Sequence, residues 1–211
     1  MTDTGIFYGT GAAEGVPSPF CDCPMCNYAR EHGGKDVRKR SCFRLGRNIM
    51  IDMGPDIFTQ ALQYGSMCDI EHVLITHTHD DHFDFTALGL MSMATHLRTT
   101  PVHFYFSEEG YRFIELLRDS EIAFGGTLRG MEKKGIYAFH KLKYFETYSI
   151  GEYEVTPIRG NHGGNMAKER SANYVLKAKD GTKMLYGMDT GLYEDCLLYT
   201  SPSPRDSTSS R

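Results

Sequence analysis

The chain has 211 residues with a formal net charge of -4, and 40% of its residues are hydrophobic. This apolar content is enough for the core of one domain, and the charge excludes a general basic surface that would gather nucleic acid. No stretch approaches the roughly 20 apolar residues that span a bilayer, and the first residues lack the pattern of a secretion signal. We therefore expect a cytoplasmic protein with no membrane partner and no stable nucleic-acid partner.

Strand-like and helix-like patterns alternate along the chain. The first half predicts, in order, a strand at 6–8, a glycine-rich turn at 9–17, a strand at 48–53, a helix at 55–64, a strand at 72–76, a helix at 84–98, a strand at 102–106 and a helix at 107–117. The second half predicts a hairpin at 144–158 and two strands, at 172–178 and 183–187, joined by a Lys-Asp-Gly-Thr turn. This mixture predicts an α/β fold.

The most informative motif follows the predicted strand at 72–76. It gathers imidazole and carboxylate groups in one short segment: His77, His79, Asp80, Asp81 and His82. Such groups are preferred ligands of zinc, manganese and iron, and a loop at a strand end can turn them toward one point. A solvated polar loop is the alternative. The other histidines share no spacing and are predicted to be ordinary surface or half-buried residues: His32, His72, His96, His103 and His140.

The order His-x-His-x-Asp-His resembles the signature of the metallo-β-lactamase superfamily. The resemblance implies a four-layer αββα sandwich with two divalent metals, zinc or manganese, in the active site. It implies that three histidines hold the first metal, and by order and context these are His77, His79 and His162. For the second metal it implies a catalytic ligand, a histidine and an aspartate that bridges the two metals: Asp81, His82 and Asp189.

Two further features of the superfamily concern a buried aspartate and a final histidine. Asp52 resembles the aspartate that orients the histidine loop by hydrogen bonds, although a turn residue at a strand end is the alternative. The final histidine has no counterpart, because no histidine follows His162 in the sequence. We interpret this absence as truncation of the gene.

Residues 196–211 are rich in serine, proline and threonine and show no periodicity. The run 196–206 matches the frame translation of a transposon-end adapter used to prepare DNA libraries, and a natural disordered tail is the alternative. We therefore interpret 1–195 as an incomplete metallo-β-lactamase-fold domain and 196–211 as a non-native disordered tail. The chain as written is expected to be a poor enzyme, because a metal ligand lies in the missing part.

Three cysteines form a second motif with the spacing Cys-x-Cys-x-x-Cys: Cys21, Cys23 and Cys26. Close thiolates can hold one tetrahedral zinc together with a fourth ligand, and three free thiols in a mobile loop are the alternative. With the glycine-rich segment 9–17, the trio resembles the PhnP-type cyclic phosphodiesterases of phosphonate metabolism. That resemblance implies a structural zinc on the trio, whose fourth ligand is a histidine beyond residue 195.

The predicted function is metal-dependent hydrolysis of a phosphodiester, a small cyclic phosphate or nucleotide, through a hydroxide bridging two metals. A transfer-RNA 3′-processing endoribonuclease is an alternative. That function predicts a basic, glycine-rich insertion that grips RNA, and the nearest candidate, 129–134, is short. Thioester or lactam hydrolysis has no use for the cysteines. A non-enzymatic metal-binding accessory protein is the remaining alternative. The predicted partner is a small phosphodiester substrate, and a homodimer is left open.

Overall fold

The computed structural model of the chain describes residues 4–94, 99–123 and 126–191. Its elements are, in chain order, β1 (Gly5–Gly9), α1 (Pro24–His32), a 3-10 helix (Gly34–Asp36), β2 (Cys42–Leu45), β3 (Ile49–Ile51), α2 (Ile57–Tyr64), β4 (His72–Leu74), α3 (Phe85–Ala94), β5 (Val102–Ser107), α4 (Glu108–Leu117), β6 (Glu121–Ala123), β7 (Gly126–Thr127), α5 (Leu128–Lys133), β8 (Tyr137–Leu142), β9 (Tyr148–Ile150), β10 (Tyr153–Arg159), β11 (Ala172–Lys177) and β12 (Lys183–Tyr186). Mixed sheets with flanking helices confirm the predicted α/β fold.

The first sheet has six strands in the order β1-β2-β3-β4-β5-β8. β1, β2 and β3 pair antiparallel, whereas β3, β4, β5 and β8 pair parallel. β3 reads Ile-Met-Ile with every residue buried, as expected for a parallel strand covered on both faces. Because the carboxyl ends of parallel strands meet at one edge of a sheet, the loops after β3 and β4 lie side by side. A bridge between Met53 and Phe83 joins these two loops.

The second sheet is antiparallel, with the strand order β12-β11-β10-β9. The hairpin predicted at 144–158 is present as β9 and β10, which pair Tyr153 with Ile150 across the turn. Alternation of burial is clearest at the start of β10 and the end of β11, around Val155 and Tyr174, each with no exposed surface. This alternation with period two points one face of the sheet toward the first sheet.

Apolar side chains fill two layers of core. Between the sheets, Ile51 and Leu74 of the first sheet belong to one buried cluster with Tyr174 of the second. On the other face of the first sheet, Val73 and Phe104 belong to a cluster with side chains of the helices. Full burial of one such side chain stabilises the fold by about 1.5–3 kcal/mol, so these layers hold the carboxyl-end loops in place.

Several predicted elements match the structure and others were missed. The helix predicted at 84–98 is present as α3, although residues 95–98 lie outside the described ranges. The sequence patterns did not predict α1, β2, β8 or α5. The predicted boundary at residue 195 and the predicted tail at 196–211 also lie outside the described residues. Within the described ranges, every helix is too short or too polar to cross a membrane.

Candidate metal centre

Asp52 anchors the loop that follows β4. It is fully buried directly after β3, with a φ of 63°, and this turn aims its carboxylate at the neighbouring loop. The Thr76 backbone N–H and hydroxyl donate to Asp52 Oδ1 at 2.8 and 2.9 Å. The His82 Nδ1–H donates to Asp52 Oδ2 at 2.7 Å. Because that bond uses Nδ1, the other ring nitrogen of His82 is left to face the site.

Three histidines converge in a first donor cluster, as their order in the sequence predicted: His77, His79 and His162. His77 Nε2 lies 3.1 Å from His79 Nδ1, and His162 Nε2 lies 3.3 Å from the same atom. Thr76 donates its hydroxyl hydrogen to Asp52, so its oxygen can accept from His77 Nδ1, which lies 3.0 Å away. The lone pair of His77 Nε2 then points into the cluster.

A second donor cluster contains His82 Nε2 and two carboxylates. The nitrogen lies 3.2 Å from Asp189 Oδ2 and 3.3 Å from Asp81 Oδ2. Asp189 Oδ2 also lies 3.9 Å from both His77 Nε2 and His162 Nε2, so this one oxygen faces both clusters. The donor atoms of His77, His82 and Asp189 lie within 4.8 Å of one another. Both clusters have the donor types and the spacing that could hold a divalent ion.

The charges in this site reflect its burial and its carboxylates. Burial and the neighbouring imidazoles lower the pKa of His77 to about 3, so this ring is neutral at pH 7. Burial also acts to lower the pKa of His82, but Asp52, Asp189 and Asp81 outweigh it and raise that pKa well above its usual value. The hydrogen bond from His82 lowers the pKa of Asp189 to about 2. Without metal, a proton on His82 therefore occupies the position where the carboxylates favour a cation.

The structure also places at the site a residue without a predicted role. The carboxylate of Glu169, in the loop between β10 and β11, accepts hydrogen bonds from the backbone and side chain of Thr78. Asn165 of the same loop donates its backbone N–H to Thr78 Oγ1 at 3.0 Å. Thr78 lies between His77 and His79. The only sequence feature near Glu169 is a loop rich in glycine and polar residues, which does not distinguish this contact from an exposed charge.

The cysteine trio forms a separate cluster at the start of α1. Its three sulfur atoms lie within 4.8 Å of one another, with Cys26 buried and Cys21 and Cys23 half-buried. Cys23 caps the helix, because its sulfur accepts from the Cys26 backbone N–H. That hydrogen bond is the largest of several that lower the pKa of Cys23 to about 7. A thiol of low pKa is readily ionised, which suits a metal ligand.

The other histidines that the structure describes join neither of the imidazole-containing donor clusters. His72, His103 and His140 are half-buried on β4, β5 and β8, where parallel pairing brings them together on the first sheet. His103 Nδ1 lies 2.8 Å from His140 Nε2, within hydrogen-bond distance, and the two rings are inclined by 21°. His32 is exposed and stacks on Tyr28, and the predicted surface position of His96 lies outside the described residues.

Together, the two large sheets, their flanking helices and the clusters at the carboxyl edge define an α/β protein with a candidate histidine–aspartate metal site. The model of the beta-lactamase superfamily domain matches residues 47–200 of the chain. The chain therefore belongs to that superfamily, and the metallo-β-lactamase fold is confirmed. A protein from Porphyromonas gingivalis named octanoyltransferase is 36% identical over 81 residues, which are 36% of this chain and 16% of that protein.

Three solved structures resemble most of the chain. A diphosphatase of the PhnP family has a TM-score of 0.63 and 22% identity, over 83% of this chain and 62% of its own. Zn(2+)-bound PqqB from Methylobacterium extorquens has a TM-score of 0.60 and 16% identity, over 86% of this chain and 61% of its own. The short form of human tRNase Z has a TM-score of 0.56 and 22% identity, over 92% of this chain and 71% of its own. The chain thus spans less than two thirds of the first two proteins, and these likenesses concern the fold.

Proposed function

We propose that the protein is a metal-dependent hydrolase that cleaves small phosphodiesters, cyclic phosphates or nucleotides. The observation that carries this proposal is the position of Asp189 Oδ2. It lies 3.2 Å from His82 Nε2 in one donor cluster and 3.9 Å from His77 Nε2 in the other. A single carboxylate oxygen between two sets of ligands is the arrangement that a two-metal site requires.

The donor set fits two divalent ions, zinc or manganese. The first ion would be held by His77, His79 and His162, the second by Asp81 and His82, and Asp189 would bridge them. When bound, two such ions lower the pKa of water and offset the charge that develops on phosphoryl oxygens. The chain itself orients the ligands through Asp52. It also leaves one side of the site open, because the side chains of Asp189 and His162 are 37% and 38% exposed.

Two features favour a small phosphodiester over RNA. The first is the cysteine trio, which accompanies the metal motif in the PhnP-type enzymes that the sequence resembles, and the second is the reduced positive charge of the candidate insertion. The nearest candidate for an RNA-gripping insertion, 129–134, is mostly the short helix α5. Its Arg129 forms an ion pair with Asp119 at 2.8 Å, and Glu132 pairs with Arg118 at 2.9 Å. The pairing of Arg129 and the acidic Glu132 reduce the positive charge that this short segment offers to a polyanion.

The test is hydrolysis of bis-p-nitrophenyl phosphate with added zinc or manganese. His79→Ala and Asp81→Ala should each lower kcat/KM at least about a hundredfold, because each removes a proposed metal ligand. Asp80→Ala is the matched control, since Asp80 is an exposed neighbour outside both donor clusters. Activity of either ligand variant equal to that of Asp80→Ala would contradict the proposal.

Two further arms of the experiment separate the alternatives. Precursor transfer RNA, a β-lactam and a thioester are offered to the same preparations, and cleavage of one of these without phosphodiester cleavage would select that activity. Metal binding without turnover of any substrate would favour an accessory protein.

We further propose a structural zinc on Cys21, Cys23 and Cys26. The proposal is supported by the convergence of the three sulfur atoms and by the lowered pKa of Cys23. Because the trio lies at the start of α1, a bound ion would tie the helix to the preceding loop. Its binding energy would then add to the stability of the fold.

A further inference from the structure

Glu169 is a buried carboxylate next to the first donor cluster. It is 2% exposed. Its oxygens accept from the Thr78 backbone N–H at 2.9 Å, the Thr78 hydroxyl at 2.5 Å and the Met166 backbone N–H at 3.0 Å. Among the described residues, no lysine or arginine forms an ion pair with it. A buried charge of this kind is retained only where hydrogen bonds compensate its loss of water, and these three supply that compensation.

The surrounding backbone leaves space for this carboxylate. A Cβ added to Gly164 would come within 2.2 Å of the Glu169 carboxyl group, and one added to Gly110 would come within 3.0 Å. Gly164 belongs to the same loop as Glu169, whereas Gly110 belongs to α4. Two separate segments therefore approach the carboxylate at positions where only glycine fits without displacement. The carboxylate is part of the packing of both.

The contacts of Glu169 converge on one residue of the histidine motif. Thr78 donates its N–H and its hydroxyl hydrogen to Glu169, and Asn165 donates to the hydroxyl oxygen and to the carbonyl of Thr78. The loop that carries His162 therefore satisfies the polar groups of Thr78 on every side. This fixes the backbone between His77 and His79, whose facing nitrogens lie 3.1 Å apart.

This arrangement matters because His77 and His79 must present different ring nitrogens to one point. His77 uses Nε2 and His79 uses Nδ1, so the required placement depends closely on the backbone between them. A ligand set is held to within a fraction of an ångström by the groups that support it. Glu169 links Thr78 to the loop of His162 and so relates all three members of the first cluster.

We infer that Glu169 is a positioning residue, which sets the geometry of His77, His79 and His162 by holding Thr78. This inference rests on the proposed function, because it assigns the cluster to a metal. The change that tests it is Glu169→Gln. The amide keeps the shape of the side chain and one acceptor oxygen. Its NH2 group, however, would face N–H or O–H donors of Thr78 and Met166 that in the wild type donate to a carboxylate oxygen. The matched control is Glu154→Gln, on the exposed face of β10, where Glu154 forms an ion pair with Lys177.

The first measurement uses the metal-free protein, so that it is independent of the proposed function. Nitrogen-15 resonances of the histidine rings report their hydrogen bonding and tautomers. In Glu169→Gln, the signals of His77 and His79 should shift and those of the distant His32 should not. Unchanged His77 and His79 signals would overturn the inference, even if the variant unfolds at a lower temperature, because Glu169 would then serve stability alone.

The second measurement is cobalt binding, followed by the visible absorption of the ion, which reports ligand geometry. Glu169→Gln should bind the first cobalt about tenfold to a hundredfold more weakly and with an altered spectrum, whereas Glu154→Gln should match the wild type. A wild-type spectrum and affinity in Glu169→Gln would also overturn the inference. If the wild type itself binds no cobalt, the proposed function fails, and the ring resonances alone decide the role of Glu169.

Discussion

Replacing Asp52 by asparagine tests how the carboxyl-edge loop prepares His82 as a ligand. In the wild type, both Asp52 oxygens accept hydrogen bonds, one set from Thr76 and one from His82 Nδ1 at 2.7 Å. An asparagine can keep its oxygen toward the two Thr76 donors. Its NH2 group then faces His82 and must donate to Nδ1. This moves the remaining proton of a neutral His82 ring to Nε2, the atom that faces Asp81 and Asp189.

The size of the effect follows from this change of tautomer. A protonated Nε2 cannot coordinate a metal, so second-site binding must first restore the other tautomer and break the new hydrogen bond. Substitutions of residues that orient a ligand typically weaken metal binding about tenfold to a hundredfold, or about 1.4–2.8 kcal/mol. Because Asp52 is fully buried, solvent offers no substitute acceptor, and we expect the upper half of this range.

The assay is calorimetric titration of zinc into the metal-free protein, with stoichiometry checked by elemental analysis. Asp52→Asn should weaken zinc binding at the second donor cluster, which contains His82. Binding at the first cluster, which depends on His77, His79 and His162, should be less affected. Asp56→Asn is the control, because Asp56 also follows β3 but pairs with Arg40 at 2.9 Å. If Asp52→Asn bound as many zinc ions as Asp56→Asn, and each as tightly, the assignment of Asp52 as the group that orients His82 would be wrong.

Three further outcomes are expected. Cys21→Ser should lower zinc content by about one equivalent and lower the unfolding temperature, while the histidine site still binds metal; unchanged zinc by elemental analysis would rule out the cysteine site. The raised pKa of His82 means that metal must displace a proton, so affinity should increase with pH, and calorimetry in two buffers of different ionisation enthalpy should detect proton release near pH 7. No release would contradict that charge state. Gly54→Ala should weaken the second site, because the added Cβ would lie 2.2 Å from the backbone oxygen of Asp81, whereas Gly130→Ala in α5 meets nothing nearer than 3.4 Å and should bind normally.

Patterns of short range in the sequence were sufficient for the fold class and for four of the six proposed metal ligands. The alternation that predicted a hairpin at 144–158 is a property of neighbouring residues, and β9 and β10 lie there. The motif His-x-His-x-Asp-His likewise lies in one loop, so the sequence alone indicates that its residues can bind a metal. Helix α1 was missed because its N-cap is Cys23, which is not one of the residues that usually mark the start of a helix in a sequence.

Only the tertiary structure decided which distant residues complete the site. His82 and Asp189 are 107 positions apart and Thr78 and Glu169 are 91 positions apart, yet each pair is in hydrogen-bond contact. The sequence order suggested Asp189, but Glu169 has no local pattern that separates it from an exposed charge. The reason is physical: the sheet order and the carboxyl-end edge bring together loops whose separation along the chain says nothing of their distance in space. A buried carboxylate becomes recognisable only when its donors are known.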